Sequence, residues 1–298
     1  MTLSPQIKLA IFGIISLFLL SGCGDKTSEE TKEPAKEVKQ QEVTLKSNEP
    51  AKQDTIASKN REPISDKKMP PEAPDFTAFT DVKAKKQAFF DYMYYFIQKV
   101  NLEVLERRVT IDAILEKSAD QLTKQDIAFV DEMSELYLKD HDSSDTLASA
   151  KILQEYIRVI PPSLALAQAA NESAWGTSRF ATDANNFFGQ WCFKKGCGLI
   201  PSQRNSGQVH EVRKFESPEG SVRSYIRNLN THYTYDELRE IRDNLYDKNK
   251  PVTGIDLAEG LKGYSERGEE YVKELQSMIR FNKLTKFDTE FWESVEEE

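Results

Sequence analysis

Apolar residues between positions 81 and 160 recur every three or four positions, the spacing that places them on one face of an α-helix. The pattern predicts helices over residues 81–107, 110–117 and 145–160, and another that begins at Thr123. No glycine occurs between Gly24 and Gly176. Because glycine marks turns, we expect this half of the chain to be nearly continuous helix. The aromatic run at residues 89–96 has helical spacing, which favours a place in the core, with a sugar-stacking surface as the alternative.

A second apolar segment, residues 164–173, is rich in alanine and follows two prolines that suit the first turn of a helix. Small side chains allow close helix packing, so we expect this helix to be central and buried. Its only ionisable residue is Glu172, close to the C-terminal end. A carboxyl group that packs against Trp175 and meets the negative end of the helix dipole favours its neutral form, which can act as a general acid. The alternative is a Glu172 side chain that points into water.

Ten of the 13 glycines lie between Gly176 and Gly268, so turns and strands are expected in this second half. Short apolar or alternating pieces predict strands over residues 188–193, 198–201 and 209–215. Helices are predicted from Ser217, which precedes a proline, and over residues 235–245, 254–261 and 268–281. Residues 287–298 are predicted to form a short acidic tail. The elements together predict a mainly α fold, a helical bundle with a small β-hairpin lobe flanking a cleft.

The N-terminus has the composition of a secretory signal, because Lys8 precedes an apolar run over residues 9–20 that is too short to span a bilayer comfortably. The sequence Leu20-Ser21-Gly22-Cys23 resembles a bacterial lipobox. This resemblance implies cleavage before Cys23 and lipidation of that residue, which gives stable anchoring when two or more acyl chains are attached. The alternatives are an uncleaved signal anchor and a plain secretory signal.

No aromatic residue occurs between Phe18 and Phe76, where the chain is mostly lysine, glutamate, glutamine, threonine, serine and proline. Such a segment cannot bury enough apolar area to offset the entropy cost of ordering, so we expect a disordered tether. A coil of this length reaches on the order of 40 Å, enough for an anchored domain to search a nearby polymer layer. The predicted boundaries are residues 1–22 for the signal peptide, 23–75 for the tether and 76–298 for the folded domain.

The charge and cysteine content narrow the possible functions. The formal net charge of −9 argues against sequence-independent binding to nucleic acid, which needs a basic surface. With Cys23 assigned to lipid, Cys192 and Cys197 remain, and in an exported chain they predict a disulfide that closes a tight loop. The alternative is half of a zinc site with His210 as a third ligand. Since the chain has only 3 histidines and no second Cys/His pair, we predict no metal and no cofactor.

Three motifs follow one another in the second half of the chain. They are Glu-Ser-Ala-Trp-Gly at residues 172–176, Asn-Asn-Phe-Phe-Gly at residues 185–189, and an aromatic-rich segment that enters a helix through Ser217, Ser221 and Tyr225. In this order and spacing they resemble the glucosaminidase domain of bacterial cell-wall hydrolases, and most of all the Bax family of exported proteins. The resemblance spans residues 81–283. It implies a lysozyme-like fold that cleaves β-1,4 bonds next to N-acetylglucosamine in peptidoglycan.

The same resemblance implies roles for single residues. Glu172 matches the catalytic acid of the family, and Tyr225 matches a tyrosine that could bind the substrate or a water molecule. The candidates for the cleft wall are aromatic residues whose faces can stack on sugar rings: Trp175, Phe188, Trp191 and Tyr225. Phe188 could instead belong to the core. Asn186 either holds the turn through its side-chain amide or binds an acetamido group.

Glycoside hydrolysis usually needs a second carboxylate. The segment over residues 210–216 offers Glu211 and Glu216, and Glu211 is our prediction for the base because it falls at about the family's spacing after Glu172. The alternatives are a surface role for both residues, assistance by an acetamido group of the substrate, or a single-acid mechanism like that of lytic transglycosylases. Two further classes are a non-catalytic wall-binding module and an amidase, whose chemistry generally needs a zinc site.

These inferences describe a lipoprotein of the cell envelope. We expect it in the periplasm, anchored to a membrane through Cys23 and acting as a monomer on the glycan strands of peptidoglycan.

The lipobox generates a direct prediction. Cys23→Ser is expected to abolish membrane association and leave soluble exported or unprocessed protein, because the acyl chains have no attachment site. Detergent-phase partitioning of the wild type and the variant measures this, and unchanged partitioning of the variant would rule out lipidation at Cys23.

Overall fold

The structure, a computed structural model, describes residues 72–138, 145–202, 207 and 209–296. The predicted signal peptide, Cys23 and the tether up to residue 71 lie outside these described residues. In chain order the helices are α1 (Val82–Leu115), α2 (Lys124–Tyr137), α3 (Thr146–Tyr156), α4 (Pro162–Glu172), α5 (Arg179–Ala184), α6 (Pro218–Thr231), α7 (Asp236–Asp247), α8 (Gly254–Ala258), α9 (Glu269–Phe281) and α10 (Thr285–Glu296). None of the helices in this part of the chain is long and apolar enough to cross a membrane.

Helix α1 is continuous, so the predicted break between residues 107 and 110 is wrong. Neither glycine nor proline interrupts this stretch, and Arg108 pairs with Asp112 one turn later at 2.8 Å. Ile111 and Ile114 continue the buried face beyond the point where the break was predicted. The aromatic run over residues 89–96 supplies much of the core, where Phe89 and Met93 are fully buried. The expectation that this run belongs to the core is therefore confirmed.

Helix α4 is the central element, in contact with α1, α8, α9 and α10. Every residue from Pro162 to Ala170 is buried, as the alanine-rich sequence predicts. No side chain caps α4 at Pro161. Instead, the carboxylate of Asp288 on α10 accepts hydrogen bonds from the backbone N–H of Ser163 at 2.7 Å and from its hydroxyl at 2.6 Å. Asp288, from a distant part of the chain, thus accepts a hydrogen bond from an N–H group at the N-terminus of α4 that has no partner within the helix.

The C-terminal segment is helix α10, so the prediction of a short acidic tail is wrong. Phe287, Phe291 and Val295 recur every four residues and are buried, while most of the acidic residues between them face outward. Phe291 and Val295 pack with Leu102 and Leu105 of α1. The apolar spacing outweighs the acidic composition, because a helix needs only one apolar face in order to pack.

The strands β1 (Trp191–Cys192), β2 (Gly198–Leu199) and β3 (Glu211–Arg213) form an antiparallel sheet in the order β1-β3-β2. Trp191 lies opposite Val212, and Cys192 lies opposite Glu211. These strands, which we call the β lobe, fall within the three predicted segments but are shorter. The expected mainly α fold with a small β-hairpin lobe is therefore confirmed.

The contact between α10 and α4 generates a stability prediction. Asp288→Ala is expected to lower the free energy of unfolding by about 3 kcal/mol, because it leaves buried N–H and O–H donors without an acceptor. Chemical denaturation monitored by circular dichroism measures the change. The control is Glu290→Ala on the exposed side of the same helix, which should shift stability by less than about 0.5 kcal/mol. Equal effects of the two substitutions would contradict the capping role.

Candidate active site

The Glu-Ser-Ala-Trp-Gly motif ends α4 in an unusual left-handed turn. Ala174, Trp175 and Gly176 all have positive φ angles, of 50°, 59° and 77°. The hydroxyl of Ser173 donates to the carbonyl of Ala169 at 2.6 Å and accepts from the N–H of Gly176 at 2.8 Å. Left-handed backbone at a residue other than glycine costs about 1 kcal/mol or more, so the surroundings must hold this turn in place.

Packing around the turn explains why tryptophan and glycine occupy its last two positions. Trp175 packs edge-on against Phe89 and Phe90 of α1, with ring centroids 5.8 and 5.3 Å away. The ammonium group of Lys86 lies 4.7 Å from the centre of its ring. A Cβ atom at Gly176 would come within 2.5 Å of the Phe76 ring, so only glycine fits. Trp175 therefore anchors the end of α4 to α1, and Lys86 covers one face of its ring.

The Asn-Asn-Phe-Phe-Gly motif brings the backbone of a second turn beside Glu172. Asn185 ends α5 in the left-handed conformation, with φ 51°. Gly189 is also left-handed, with φ 64°, and a Cβ atom there would lie 3.6 Å from Oε2 of Glu172. Gly189 is exposed, whereas Glu172 is half-buried. The glycine therefore leaves open the space directly in front of the carboxyl group.

Asn186 holds this turn with all of its side-chain hydrogen-bonding capacity. Its amide donates to the carbonyls of Gln190 at 2.8 Å and Arg213 at 2.9 Å. Its oxygen accepts from the N–H groups of Phe188 at 3.3 Å and Gln190 at 3.1 Å. With 1% of its surface exposed, Asn186 is structural, which resolves the two predicted roles in favour of the turn.

A line of buried hydrogen bonds ends on Glu172. The hydroxyl of Tyr225 donates to Oε1 of Gln168 at 2.5 Å, and Nε2 of Gln168 donates to the hydroxyl of Tyr271 at 3.0 Å. Tyr271 in turn donates to Oε1 of Glu172 at 2.8 Å. All three donors point toward Glu172, so each bond polarises the next. The chain of bonds fixes the carboxyl group and leaves Oε2 on the side of Gly189.

The environment of Glu172 favours its neutral form. Burial raises the pKa of this carboxyl group, against the hydrogen bond from Tyr271 and the positive charge of Arg267, which lower it; Glu274 adds to the increase. The C-terminal position on α4 acts in the same direction as burial. Burial also raises the pKa of Tyr271 well above 10, so its hydroxyl stays a donor. The site can therefore hold a proton on Glu172 and orient it.

Phe188 and Tyr225 lie in the core, which corrects the prediction that they line the cleft. Their rings stack on each other with centroids 4.0 Å apart, and each side chain is 1% exposed. Both faces that a sugar would need are covered. Tyr225 contributes through its hydroxyl, at the start of the hydrogen-bond line to Glu172. Phe188 contributes its carbonyl, which accepts from the hydroxyl of Tyr264 at 2.8 Å.

Trp191, another of the predicted aromatic residues, borders an open groove. One face of its ring stacks on His210, with centroids 4.2 Å apart. The side chain is half-buried, so part of the indole is accessible. A substrate contact at Trp191 stays a prediction.

Glu211 lies in the middle of the β lobe and is 4% exposed. Its two carboxylate oxygens accept from the N–H groups of Gly196 at 2.9 Å and Gly198 at 2.8 Å. Gly196 belongs to the loop that the disulfide between Cys192 and Cys197 closes, and Gly198 begins β2 directly after it. The Cα atoms of the two cysteines are 6.3 Å apart. The predicted disulfide is confirmed, and it joins the two sulfur atoms that the zinc alternative required.

The structure thus shows Glu211 anchoring the disulfide loop, and a role as base stays a prediction. Glu216, the other carboxylate considered, is exposed.

Sequence reasoning missed the groups that surround the acid. Gln168 precedes Glu172 by four residues on the same helix face, and a lone polar residue in an alanine-rich helix could have flagged it. Tyr235, Tyr264 and Tyr271 all lie close enough for the charge of Glu172 to affect their pKa values. They follow Glu172 by many residues with no motif of their own, so only the fold brings them together.

Comparison with known proteins agrees with this geometry. The sequence model of the glucosaminidase family, described as mannosyl-glycoprotein endo-beta-N-acetylglucosaminidase, matches residues 148–284. The matched region contains α4, the β lobe and Tyr271. The fold and the site therefore define a glucosaminidase domain, a glycoside hydrolase type of domain.

The chain is also 30% identical over 210 residues to Protein bax of Escherichia coli (strain K12), covering 70% of this chain and 74% of that protein. It belongs to the Bax family. Among solved structures, the catalytic domain of the autolysin Auto from Listeria monocytogenes matches at 20% identity and a TM-score of 0.34. That match covers 59% of this chain and 93% of the autolysin domain.

The hydrogen bond from Tyr271 generates a prediction about protonation. Tyr271→Phe is expected to raise the pKa of Glu172 further, because the lost bond stabilised the charged carboxylate. Carbon-13 NMR titration of glutamate-labelled protein measures this pKa, and the resonance that disappears in Glu172→Gln identifies it. The control is Tyr264→Phe, which removes a hydroxyl bonded to the Phe188 carbonyl and should change the pKa less. A lower or equal pKa in Tyr271→Phe would contradict the assignment.

Proposed function

We propose that this protein hydrolyses the glycan strands of peptidoglycan, at β-1,4 bonds next to N-acetylglucosamine, with Glu172 as the general acid. The observation that supports the proposal is the half-buried Glu172 carboxyl group, which is held on one oxygen by Tyr271 and left accessible on the other beside Gly189. When Oε1 accepts from Tyr271, the proton of the neutral acid is carried by Oε2. That oxygen can donate to the leaving oxygen of a sugar bound over Gly189.

The hydrogen bonds of Glu211 favour a second candidate mechanism, in which Glu172 acts as the single acid. One oxygen of Glu211 accepts a hydrogen bond from the disulfide loop and the other accepts one from the start of β2. A role as base therefore requires this carboxylate to activate water while it holds Gly196 and Gly198. A single-acid mechanism, as in lytic transglycosylases, does not need Glu211 for chemistry. The two mechanisms differ in product, since hydrolysis leaves a reducing sugar and transglycosylation leaves an anhydro-muramic end.

We also propose that the protein acts outside the cytoplasm, as a lipoprotein attached to a membrane through Cys23. The lipobox-like sequence supports this proposal, and so does the glucosaminidase domain, since a cell-wall substrate lies outside the cytoplasm. The segment between Cys23 and Phe76 would then connect the anchor to the folded domain, whose buried core begins at Phe76.

Substitution of the acid tests the proposed function. Glu172→Gln is expected to lower the release of glycan ends from purified peptidoglycan by about 10²–10⁴-fold, because it removes the proton donor while preserving the shape of the side chain. Glu211→Gln should lower the activity by a similar factor only if Glu211 is the base. Mass spectrometry of the released muropeptides, with circular dichroism as the folding control, measures both.

The product decides between the mechanisms. A new reducing N-acetylglucosamine end supports the proposed bond, an anhydro-muramic end supports the transglycosylase mechanism, and free peptide indicates an amidase. If the wild type binds peptidoglycan but releases nothing, and Glu172→Gln binds equally well, the protein is a wall-binding module. An active Glu172→Gln variant would show that the acid is misassigned.

A further inference from the structure

A groove of about 470 Å³ lies next to the candidate active site, between the end of α2, the β lobe and α6. Its walls include Glu135, Gln190, Trp191, Arg213, Arg227 and Asn228. Glu172 does not line this groove. The two are adjacent, however, because Gln190 directly follows Gly189, and the side chain of Asn228 hydrogen-bonds to Tyr235, a residue whose pKa the charge of Glu172 affects.

The groove collects positive charge in a protein of net charge −9. Among the described residues, no salt bridge involves Arg213, Arg227 or the neighbouring Arg107. By contrast, Arg223, one turn earlier on α6, is neutralised by Glu103 at 2.6 Å and Glu219 at 2.7 Å. Within the residues that the structure describes, Arg213, Arg227 and Arg107 therefore form a group of positive charges at the groove that has no ion-pair partner.

The arginines are crowded rather than spread over the surface. Burial lowers the pKa of Arg227, Tyr137 opposes this change, and the positive charges of Arg213, Arg107 and, last, Arg223 contribute to it. The hydroxyl of Tyr137 accepts a hydrogen bond from Arg107 at 3.3 Å. Glu135 is the only acidic residue among the lining residues, and it is exposed at the rim. Like charges held together without a counter-charge favour the binding of an anion.

The same backbone turn, held by Asn186, positions residues of both the groove and the candidate active site. The N–H of Arg213 donates to the carbonyl of Gln190 at 2.9 Å, and the carbonyl of Arg213 accepts from Asn186 at 2.9 Å. The guanidinium group of Arg213 lies 5.0 Å from the centre of the Phe215 ring, which helps to orient it. The turn that places Gly189 in front of Glu172 therefore also sets the positions of Arg213 and Trp191.

We propose that this groove is a carboxylate subsite for the glycan strand, in which Arg213 and Arg227 bind an anionic substituent while Trp191 contacts the sugar that carries it. The inference rests on the proposed function. In peptidoglycan, carboxylates are carried by the muramic residues and not by N-acetylglucosamine. Guanidinium groups match a carboxylate with two parallel hydrogen bonds. The carboxylate belongs either to a free lactyl group or to a peptide stem, and the chemistry of recognition is the same.

Binding to a catalytically inactive protein tests the subsite without turnover. The full chain carrying Glu172→Gln is titrated with three ligands by calorimetry: chitotetraose, a tetrasaccharide of alternating N-acetylglucosamine and N-acetylmuramic acid, and that tetrasaccharide with peptide stems. Adding Arg227→Gln is expected to weaken at least one muramic ligand about tenfold, because a charge-assisted pair is lost. The affinity for chitotetraose, which has no carboxylate, should not change.

Matched variants separate recognition from general charge and folding effects. Arg223→Gln removes the same charge one turn away from a guanidinium group that is already paired, and it should leave all three affinities unchanged. Arg227→Lys keeps the charge without the planar fork and should lose less affinity than Arg227→Gln. Arg213→Gln, at an exposed position on β3, replaces Arg227→Gln if circular dichroism shows that the latter does not fold.

The pattern of loss identifies the source of the carboxylate. A loss confined to the unsubstituted muramic tetrasaccharide assigns the subsite to the lactyl group, and a loss confined to the stem-bearing ligand assigns it to the peptide. Unchanged affinity for both muramic ligands, or an equal loss for chitotetraose, would overturn the inference. Failure of the proposed function has a different signature, because the wild type would then release no glycan ends whatever the Arg227→Gln affinities show.

Discussion

The structure depends on the burial of α4 with a carboxyl group at its end. Alanine side chains let α1, α8, α9 and α10 approach this helix from several sides. That burial fixes Glu172 in position and raises its pKa, since the same neighbours that hold the helix exclude water from the carboxyl group. The rigid position of Glu172 and its raised pKa therefore have one physical cause. Gln168, a polar side chain buried in the middle of α4, forms hydrogen bonds with Tyr225 and Tyr271.

Two left-handed turns convert this buried helix into an accessible site. The first turn, at residues 174–176, follows Glu172. It is held by the packing of Trp175 against α1 and by the ring of Phe76, which lies against Gly176. The second, held by Asn186, brings Gly189 to the carboxyl group without adding a side chain in front of it. Packing or hydrogen bonds support each turn, and these contacts offset the strain of the left-handed backbone.

The two parts of the site, the acid with its tyrosines and the groove, have different proposed roles. The helices supply the acid and the tyrosines that orient it, while the β lobe and α6 supply Trp191 and the arginine groove. Asn186 links the two parts, because it bonds to the turn at Gln190 and to β3 at Arg213. Net charge is a poor guide to such a surface. The chain is acidic as a whole, yet Arg213 and Arg227 line its groove and pair with no carboxylate in the part of the chain that the structure describes.

Local sequence determined the elements whose signals are short-range. The helical spacing, the alanine-rich α4, the two motif turns and the cysteine pair were predictable, because each depends on neighbours within a few residues. The acidic composition of residues 287–298 led to the wrong prediction of a tail. The spacing of Phe287, Phe291 and Val295 instead produces the helix α10. Only the tertiary structure placed Tyr271 on Glu172, buried Phe188 against Tyr225 and engaged Glu211 with the disulfide loop. These contacts join residues far apart in the chain, and no local pattern encodes which buried polar groups will meet.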